Sequence, residues 1–366
     1  MKASGPGTVV FAEGDGSENP SLSSNAGIRG TERHVAELAN QQALTHDVTV
    51  LLERHTADLR TGGDIAHHFS PSVRIVRAYR AGYLPTLTAL VWNETFDIIH
   101  THLGKASIRA GVLKILGLMG ETPVIGTLHN AYRARTYGKH DGLICIARWQ
   151  QASLPPGCRN QSAVIANWTI PSVLCHPERT RLREGFRQEH RLPSDAFVIC
   201  AVGRMVEEKR FDCLLQAWRQ AVLPPDTYLV LIGDGPERAR LENVCAEYRD
   251  RIIFVGYRSD VPDVFCAVDG FVLPSRREPF GLVLPEAMAA GLPVCATAAG
   301  GVLDILENVS DCLVKPDCID ALAAGLVRLR QQPGRTWDLS FHVLEEHALK
   351  TEQLYRLFCC GAPSTV

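Results

Sequence analysis

Short apolar runs alternate along the chain with stretches whose apolar positions recur at helical spacing, the pattern of βαβ units around a parallel sheet. Strands are predicted at Thr8–Ala12, Asp47–Leu52, Val73–Val76, Asp97–His100, Pro123–Thr127, Gly142–Ile146 and Ala163–Ile165, with an amphipathic helix from Thr31 to about Leu44. Between Asn167 and Ser194 the pattern gives way to sequence rich in arginine and glutamate and interrupted by Pro171, Pro177 and Pro193, which reads as a linker. A second alternation follows. Strands are predicted at Phe197–Ala201, Tyr228–Ile232, Ile252–Val255, Gly270–Leu273, Val294–Cys295 and Cys312–Val314. Helices are predicted over Lys209–Ala221, Glu237–Tyr248, a short piece near Val264, Leu284–Ala290, Ile319–Gln331 and Val343–Cys359. The expected architecture is two facing Rossmann-like α/β domains: 1–168, 169–345, and a helix in 346–366 returning to the first. Ligands of such sheets sit outside the carboxyl ends of the strands, so the expected active site is the central cleft.

Length agrees with two domains, since 366 residues exceed what one core usually organises. The net charge of −2 gives no reason to expect a nucleic-acid partner, although residues 1–170 carry +3 and the remainder −5. The uncharged stretch Ala287–Leu303 is broken by glycines and a proline, so no membrane span is expected; Met1–Gly7 has no apolar core of a secretory leader. Twelve cysteines lie scattered without C-x-x-C spacing and read as reduced core thiols of a cytoplasmic protein.

The chemistry concentrates in the second half. In Arg276-Arg277-Glu278-Pro279-Phe280-Gly281-Leu282-Val283-Leu284-Pro285-Glu286, a strand ends near Pro274, a loop carries Glu278, and a helix is expected to open near Gly281. The amides of Phe280, Gly281 and Leu282 would face an anion. On one continuous helix Glu278 and Glu286 would lie about 80° apart; with Glu278 in the loop they can converge on a ligand, and carboxylates accept well from vicinal hydroxyls. A solvated loop acid plus a dipole-favoured helix acid explains them too. After the strand ending at Val202, Gly203 allows close backbone approach, and Arg204 and Lys209 suit a diphosphate. The competing reading is a surface salt-bridge cluster of Arg204, Glu207, Glu208 and Lys209. Gly233-Asp234-Gly235-Pro236-Glu237 is a turn into a helix.

In order and spacing these elements resemble the donor domain of the retaining nucleotide-sugar glycosyltransferases of family 4, whose GT-B architecture has two such domains. Similar first-half features are Gly27-Ile28-Arg29-Gly30-Thr31-Glu32-Arg33, Ile98-Ile99-His100-Thr101-His102, Gly126-Thr127-Leu128-His129-Asn130 and Val164-Ile165-Ala166-Asn167. The resemblance implies that Arg204 and Lys209 bind the donor diphosphate, Glu278 contacts the sugar hydroxyls, Glu286 holds the ribose, and the Phe280–Leu282 amides hold phosphate and sugar. It implies that His129 reaches the donor sugar, that Gly30 belongs to a phosphate-facing loop, and that Tyr257 and Arg258 lie where the base does. Arg29 replaces a glycine usual in that first loop, and Ala166-Asn167-Trp168 replaces Pro-Asn-Gly.

A hexose-type transfer by front-face departure and attack is expected, the leaving diphosphate taking the acceptor's proton. No metal or other cofactor is expected, and a UDP-sugar is favoured over a GDP-sugar. His100 and His102 face one way on a strand, a spacing a metal could use, but no third ligand is evident. The expected acceptor is a glycan or lipid-linked saccharide in bacterial surface polysaccharide synthesis, such as lipopolysaccharide or capsule. Arg74, Arg77 and Arg80 could dock peripherally on an anionic membrane, or simply end a strand before an amphipathic helix. Arg133, Arg135 and Lys139 could receive an acidic acceptor or lie in a solvated loop. Two alternatives stay open: a nucleotide-sugar 2-epimerase and a silent sugar-nucleotide-binding module.

Overall fold

The structure is a computed structural model that describes residues 8–12, 30–53, 64–170, 176–248, 250–332 and 334–359. The chain forms two compact units, one of Met1–Trp168 with Val343–Val366 and one of Thr169–His342.

The first unit is built on seven parallel strands: β1 (Thr8–Ala12), β2 (Val48–Glu53), β3 (Arg74–Ala78), β4 (Ile98–His102), β5 (Val124–Leu128), β6 (Gly142–Cys145) and β7 (Ser162–Val164). Their order is β3-β2-β1-β4-β5-β6-β7, so the winding reverses between β1 and β4. A parallel sheet covered on both faces needs apolar strands. Val50, Leu51 and Leu52 of β2 are accordingly fully buried, Leu51 with Ile99 and Val124 on one face, Val50 and Leu52 with Val35 and Ala39 on the other.

The C-terminal helix Leu344–Cys359 lies against the helix Gly30–Gln42 and sends Leu354 and Tyr355 onto Ile98, Ile125 and Ile144. The buried Tyr355 hydroxyl is 2.6 Å from His100 Nδ1 and accepts from Gln42 Nε2. Trp168, where the family resemblance has glycine, packs with Leu38 and Ala348 and donates to Glu37 Oε2 at 2.6 Å.

The second unit has six parallel strands: β8 (Phe197–Val202), β9 (Thr227–Ile232), β10 (Ile252–Gly256), β11 (Gly270–Leu273), β12 (Val294–Thr297) and β13 (Leu313–Val314). The order is β10-β9-β8-β11-β12-β13, with the reversal between β8 and β11, and apolar clusters cover both faces.

The stretch read as a linker, 167–194, differs: it contains the helix His176–Glu189, with Pro177 tolerated in the first turn. Few aliphatic positions mark this helix because arginines make much of its inner face. Buried Arg187 donates to the carbonyls of Pro193, Ser194 and Ala196 and to Asp269, which also accepts from Arg183 and from the amide of Val198. Asp269→Ala would leave this guanidinium buried without its anion, a cost of about 3–5 kcal/mol. A thermal melt of that variant should show the second unit's midpoint lowered by on the order of 10 °C; a shift below about 2 °C would mean that Asp269 is not the anchor.

Candidate active site

The reversal between β8 and β11 marks, at the carboxyl ends of the second sheet, the crevice where ligands usually sit in such folds. The loops that follow β8, β9 and β11 meet there. Gly203 N–H donates to Ile232 O, Met205 N–H to Asp234 O and Glu237 N–H to Met205 O. Gly233 adopts φ +130°, and a Cβ there would stand 2.0 Å from the Gly203 carbonyl oxygen, so only glycine lets the two loops lie this close. The third loop joins through Arg276 N–H, which donates to Glu208 O.

Lys209 and Glu278, separated by 69 residues in sequence, meet in this crevice with Nζ 2.5 Å from Oε2. Ser275 Oγ donates to the same oxygen at 3.0 Å. Glu278 is only 6% exposed, and among the described residues nothing donates to its Oε1, the oxygen available to a ligand hydroxyl. Gly301 N–H fixes the Glu278 carbonyl. Gly281, at φ +96°, leaves room for the Glu278 side chain, since a Cβ there would lie 3.0 Å from its Cγ.

The salt-bridge cluster that competed as a reading of this segment does not form. Lys209 turns to Glu278, Glu207 lies 3.5 Å from Arg276, and Asp317 takes both Arg276 and Arg210. Arg204 is exposed and, among the described residues, has no ion pair.

The helix after this loop is Val283–Ala289, within a residue of the predicted Leu284–Ala290, with Leu282 as its N-cap. Leu284 N–H and Glu286 N–H are used inside the turn, on Gly281 O and Leu282 O. Among the described residues the amides of Phe280, Gly281 and Leu282 have no backbone or side-chain acceptor. Glu286 is half-buried in the first turn of the helix. Tyr257, 37% exposed, and Arg258 follow β10. Arg258 is held by Asp260 and Glu189, whose bonds raise its already high pKa, and it lies over the Phe186 ring.

His129 belongs to the first unit, immediately after β5, in a buried group with His34, His100 and His102. His102 Nδ1 and His129 Nε2 are 3.1 Å apart, and His100 Nε2 is 2.7 Å from Thr127 Oγ1. Burial brings the pKa of His129 down to about 4; burial and the His129 and His140 rings bring His100 to about 3. Burial above all also holds His34 and His102 well below the ordinary value, so all four rings are neutral at pH 7. His34 is the nitrogen-bearing neighbour that sequence reasoning missed. Gly30 opens the helix that carries His34. Arg74 is paired bidentately with Glu94, and Arg77 Nη2 donates to Asp64 Oδ2, whereas Arg133, Arg135 and Lys139 are exposed. The Arg80 side chain lies outside the described residues. No helix among the described residues is long and apolar enough to cross a membrane.

Two parallel-sheet α/β units, one with a basic and acidic crevice at its switch point, define a GT-B glycosyltransferase fold. Residues 196–332 match the family described as glycosyl transferases group 1, and residues 28–167 match glycosyltransferase family 4. The chain belongs to the family 4-like glycosyltransferases. It is 40% identical over 196 residues to the lipopolysaccharide core biosynthesis glycosyltransferase LpsD of Rhizobium meliloti (52% of this chain, 54% of that one). It is 34% identical over 147 residues to LpsE of the same organism (40% of each chain). These matches span about half or less of the relatives' own length. A crystal structure of Anabaena Alr3699/HepE with UDP and glucose shares the fold at a TM-score of 0.73, with 18% identity over 97% of this chain and 99% of that one.

Proposed function

We propose that this chain transfers a hexose, with retention at the anomeric carbon, from a nucleotide diphosphate sugar to a glycan or lipid-linked saccharide of the lipopolysaccharide core. The observation that carries the reading is the Glu278 carboxylate, pinned on Oε2 by Lys209 and Ser275 with Oε1 open to a ligand among the described residues, and Arg204, in the loop after β8, has no ion pair among them. A buried acid of this kind takes a sugar hydroxyl, while the two cations take a diphosphate. An ammonium has three donors, so Lys209 can keep Glu278 and still bind a phosphate oxygen. The LpsD and LpsE relatives support the lipopolysaccharide acceptor. A UDP-sugar is proposed ahead of a GDP-sugar, in keeping with the UDP-bound neighbour of the same fold.

In the proposed step the bond from C1 to the diphosphate oxygen breaks and its electron pair leaves with the diphosphate. The acceptor oxygen attacks C1 from the same face, and its proton passes to the departing phosphate oxygen. Arg204, Lys209 and the amides of Phe280, Gly281 and Leu282 stabilise the charge that develops, so the transfer needs no metal. Glu286 holds the ribose, and Tyr257 borders the base. The reaction is placed on the cytoplasmic side, where nucleotide sugars are found.

A thermal-shift panel of UDP-, GDP-, ADP- and dTDP-sugars tests the donor assignment. Saturation at about 100 times Kd stabilises a binding-competent fold by about 2.7 kcal/mol, which raises the midpoint by several degrees. The rise is expected for UDP-sugars and should be lost in Arg204→Ala. No response to any of the four would overturn the reading, and sugar turnover without acceptor would point to the epimerase.

A further inference from the structure

Lys209 is the last residue of a single turn, Glu207–Lys209, and the helix Phe211–Gln220 begins two residues later. Arg210 is the joint between them, and it takes φ +52° and ψ +37°. Left-handed backbone at the end of a turn is ordinarily left to glycine, because a Cβ crowds the following carbonyl oxygen there. Here an arginine adopts it. Its Nε stands 2.8 Å from Asp317 Oδ1, in the turn that follows β13, and the other oxygen, Oδ2, accepts from Arg276 Nε at 2.7 Å. Arg276 lies two residues before Glu278. Asp317 is itself left-handed, at φ +57°, a conformation that a short polar side chain tolerates. The remaining side-chain partners of Arg210, Asp212 and Cys213, lie on the helix it opens and do not tie it to another loop. One carboxylate therefore joins the residue after Lys209 to the loop that carries Glu278.

We propose that Asp317 is a positioning residue for the diphosphate: it holds Arg210 left-handed beside the Arg276 loop, so that Lys209 Nζ stands against Glu278 and faces the ligand. This rests on the roles given above to Lys209 and Glu278. If the backbone at Arg210 relaxed to the right-handed region, the turn that carries Lys209 would swing relative to the helix Phe211–Gln220. Exposed ion pairs contribute little to stability, and the Asp317 and Arg276 side chains are 38% and 40% exposed. The clasp should therefore show in ligand binding and hardly in the melting temperature.

The sign of the effect separates position from charge. Asp317 is an anion beside a site for an anion, so by charge alone its removal would tighten diphosphate binding. By position its removal loosens it.

UDP is the probe, with Kd read by calorimetry on the full chain, because a diphosphate reports on Lys209 without any acceptor. Asp317→Asn removes the charge and keeps a residue that tolerates the left-handed turn. It is expected to weaken UDP about tenfold, the lower end for a lost hydrogen bond to a charged group. Its melting temperature should stay within about 2 °C of wild type. Lys209→Ala should weaken UDP at least as much, and adding Asp317→Asn to it should cost less than about twofold more, since the two act through one contact. Asp317→Asn combined with Arg210→Gly should return to within about threefold of wild type, because glycine takes the left-handed joint unaided. Asp226→Asn, which breaks a comparable exposed pair with Arg330 just before β9, should leave the affinity unchanged. A Kd for Asp317→Asn at or below that of wild type overturns the proposal. Full additivity with Lys209→Ala, no recovery with Arg210→Gly, or a melting temperature lowered by more than about 5 °C does the same. A wild-type chain that does not bind UDP, or a Lys209→Ala that binds it normally, overturns the reading of the site and this proposal with it. If Lys209→Ala is weakened and Asp317→Asn is not, only the role of Asp317 falls.

Discussion

Lys209→Ala is expected to lower the rate of sugar transfer by at least about a hundredfold, the loss typical of removing one donor from a developing oxyanion. The effect has two sources. The ammonium no longer meets the leaving diphosphate, and Glu278, 6% exposed, keeps only the Ser275 hydroxyl on Oε2. A carboxylate left in a buried site without its cation turns toward water or takes a proton, and either change spoils its grip on a sugar hydroxyl. Initial rates of transfer from a UDP-sugar, with donor affinity measured separately by calorimetry, resolve the two. Loss of charge stabilisation falls on kcat, whereas loss of Glu278 positioning also weakens donor binding. Glu278→Gln should show the second effect with less of the first. Turnover of Lys209→Ala within a few-fold of wild type would remove Lys209 from the reaction.

The protein is expected to lose stability steeply in mild acid. His100, His129 and His140 have folded-state values near 3, 4 and 4, depressed first by burial, against an ordinary 6.5. Below pH 6.5 the unfolded chain therefore binds protons that the folded chain refuses, so stability falls as pH falls and levels off only near the folded values. Each group costs about 1.4 kcal/mol per pH unit in that window, about 2 kcal/mol at pH 5, and the three together on the order of 6 kcal/mol. The charged groups facing them barely offset this. Lys114 opposes protonation of His140 and Asp141 favours it, while the neighbours of His129 are other imidazoles. Urea melts at pH 7.5 and 5.0, followed by circular dichroism, should show a large drop in the first unit's midpoint. Equal midpoints would mean that the rings are hydrated and titrate normally.

The strands were legible because parallel strands buried on both faces read as continuous apolar runs, as in β8, β9 and β11. Lys209 and Glu278 were each picked out from local motifs, but their pairing spans 69 residues and arises only when β8 and β11 become neighbours. The helix His176–Glu189 was hidden because Arg187, an ion-paired side chain, does the packing an aliphatic residue usually does. His34 was missed for a related reason: on an amphipathic helix one histidine looks like an ordinary polar position. The signal that could have found it is topological. Residues opening the helix after β1 and residues ending β4 flank the same reversal, so His34 and His102 were candidates to meet.

The return of Val343–Val366 to the first unit also bears on how the chain is made. On the ribosome, the sheet that carries His100 emerges long before Tyr355 and Leu354, and the whole second unit is synthesised in between. Until then Ile98, Ile125 and Ile144 lack the helix that covers them. The second unit can finish folding while the first is still open, so the N-terminal half of the polypeptide is the last to close.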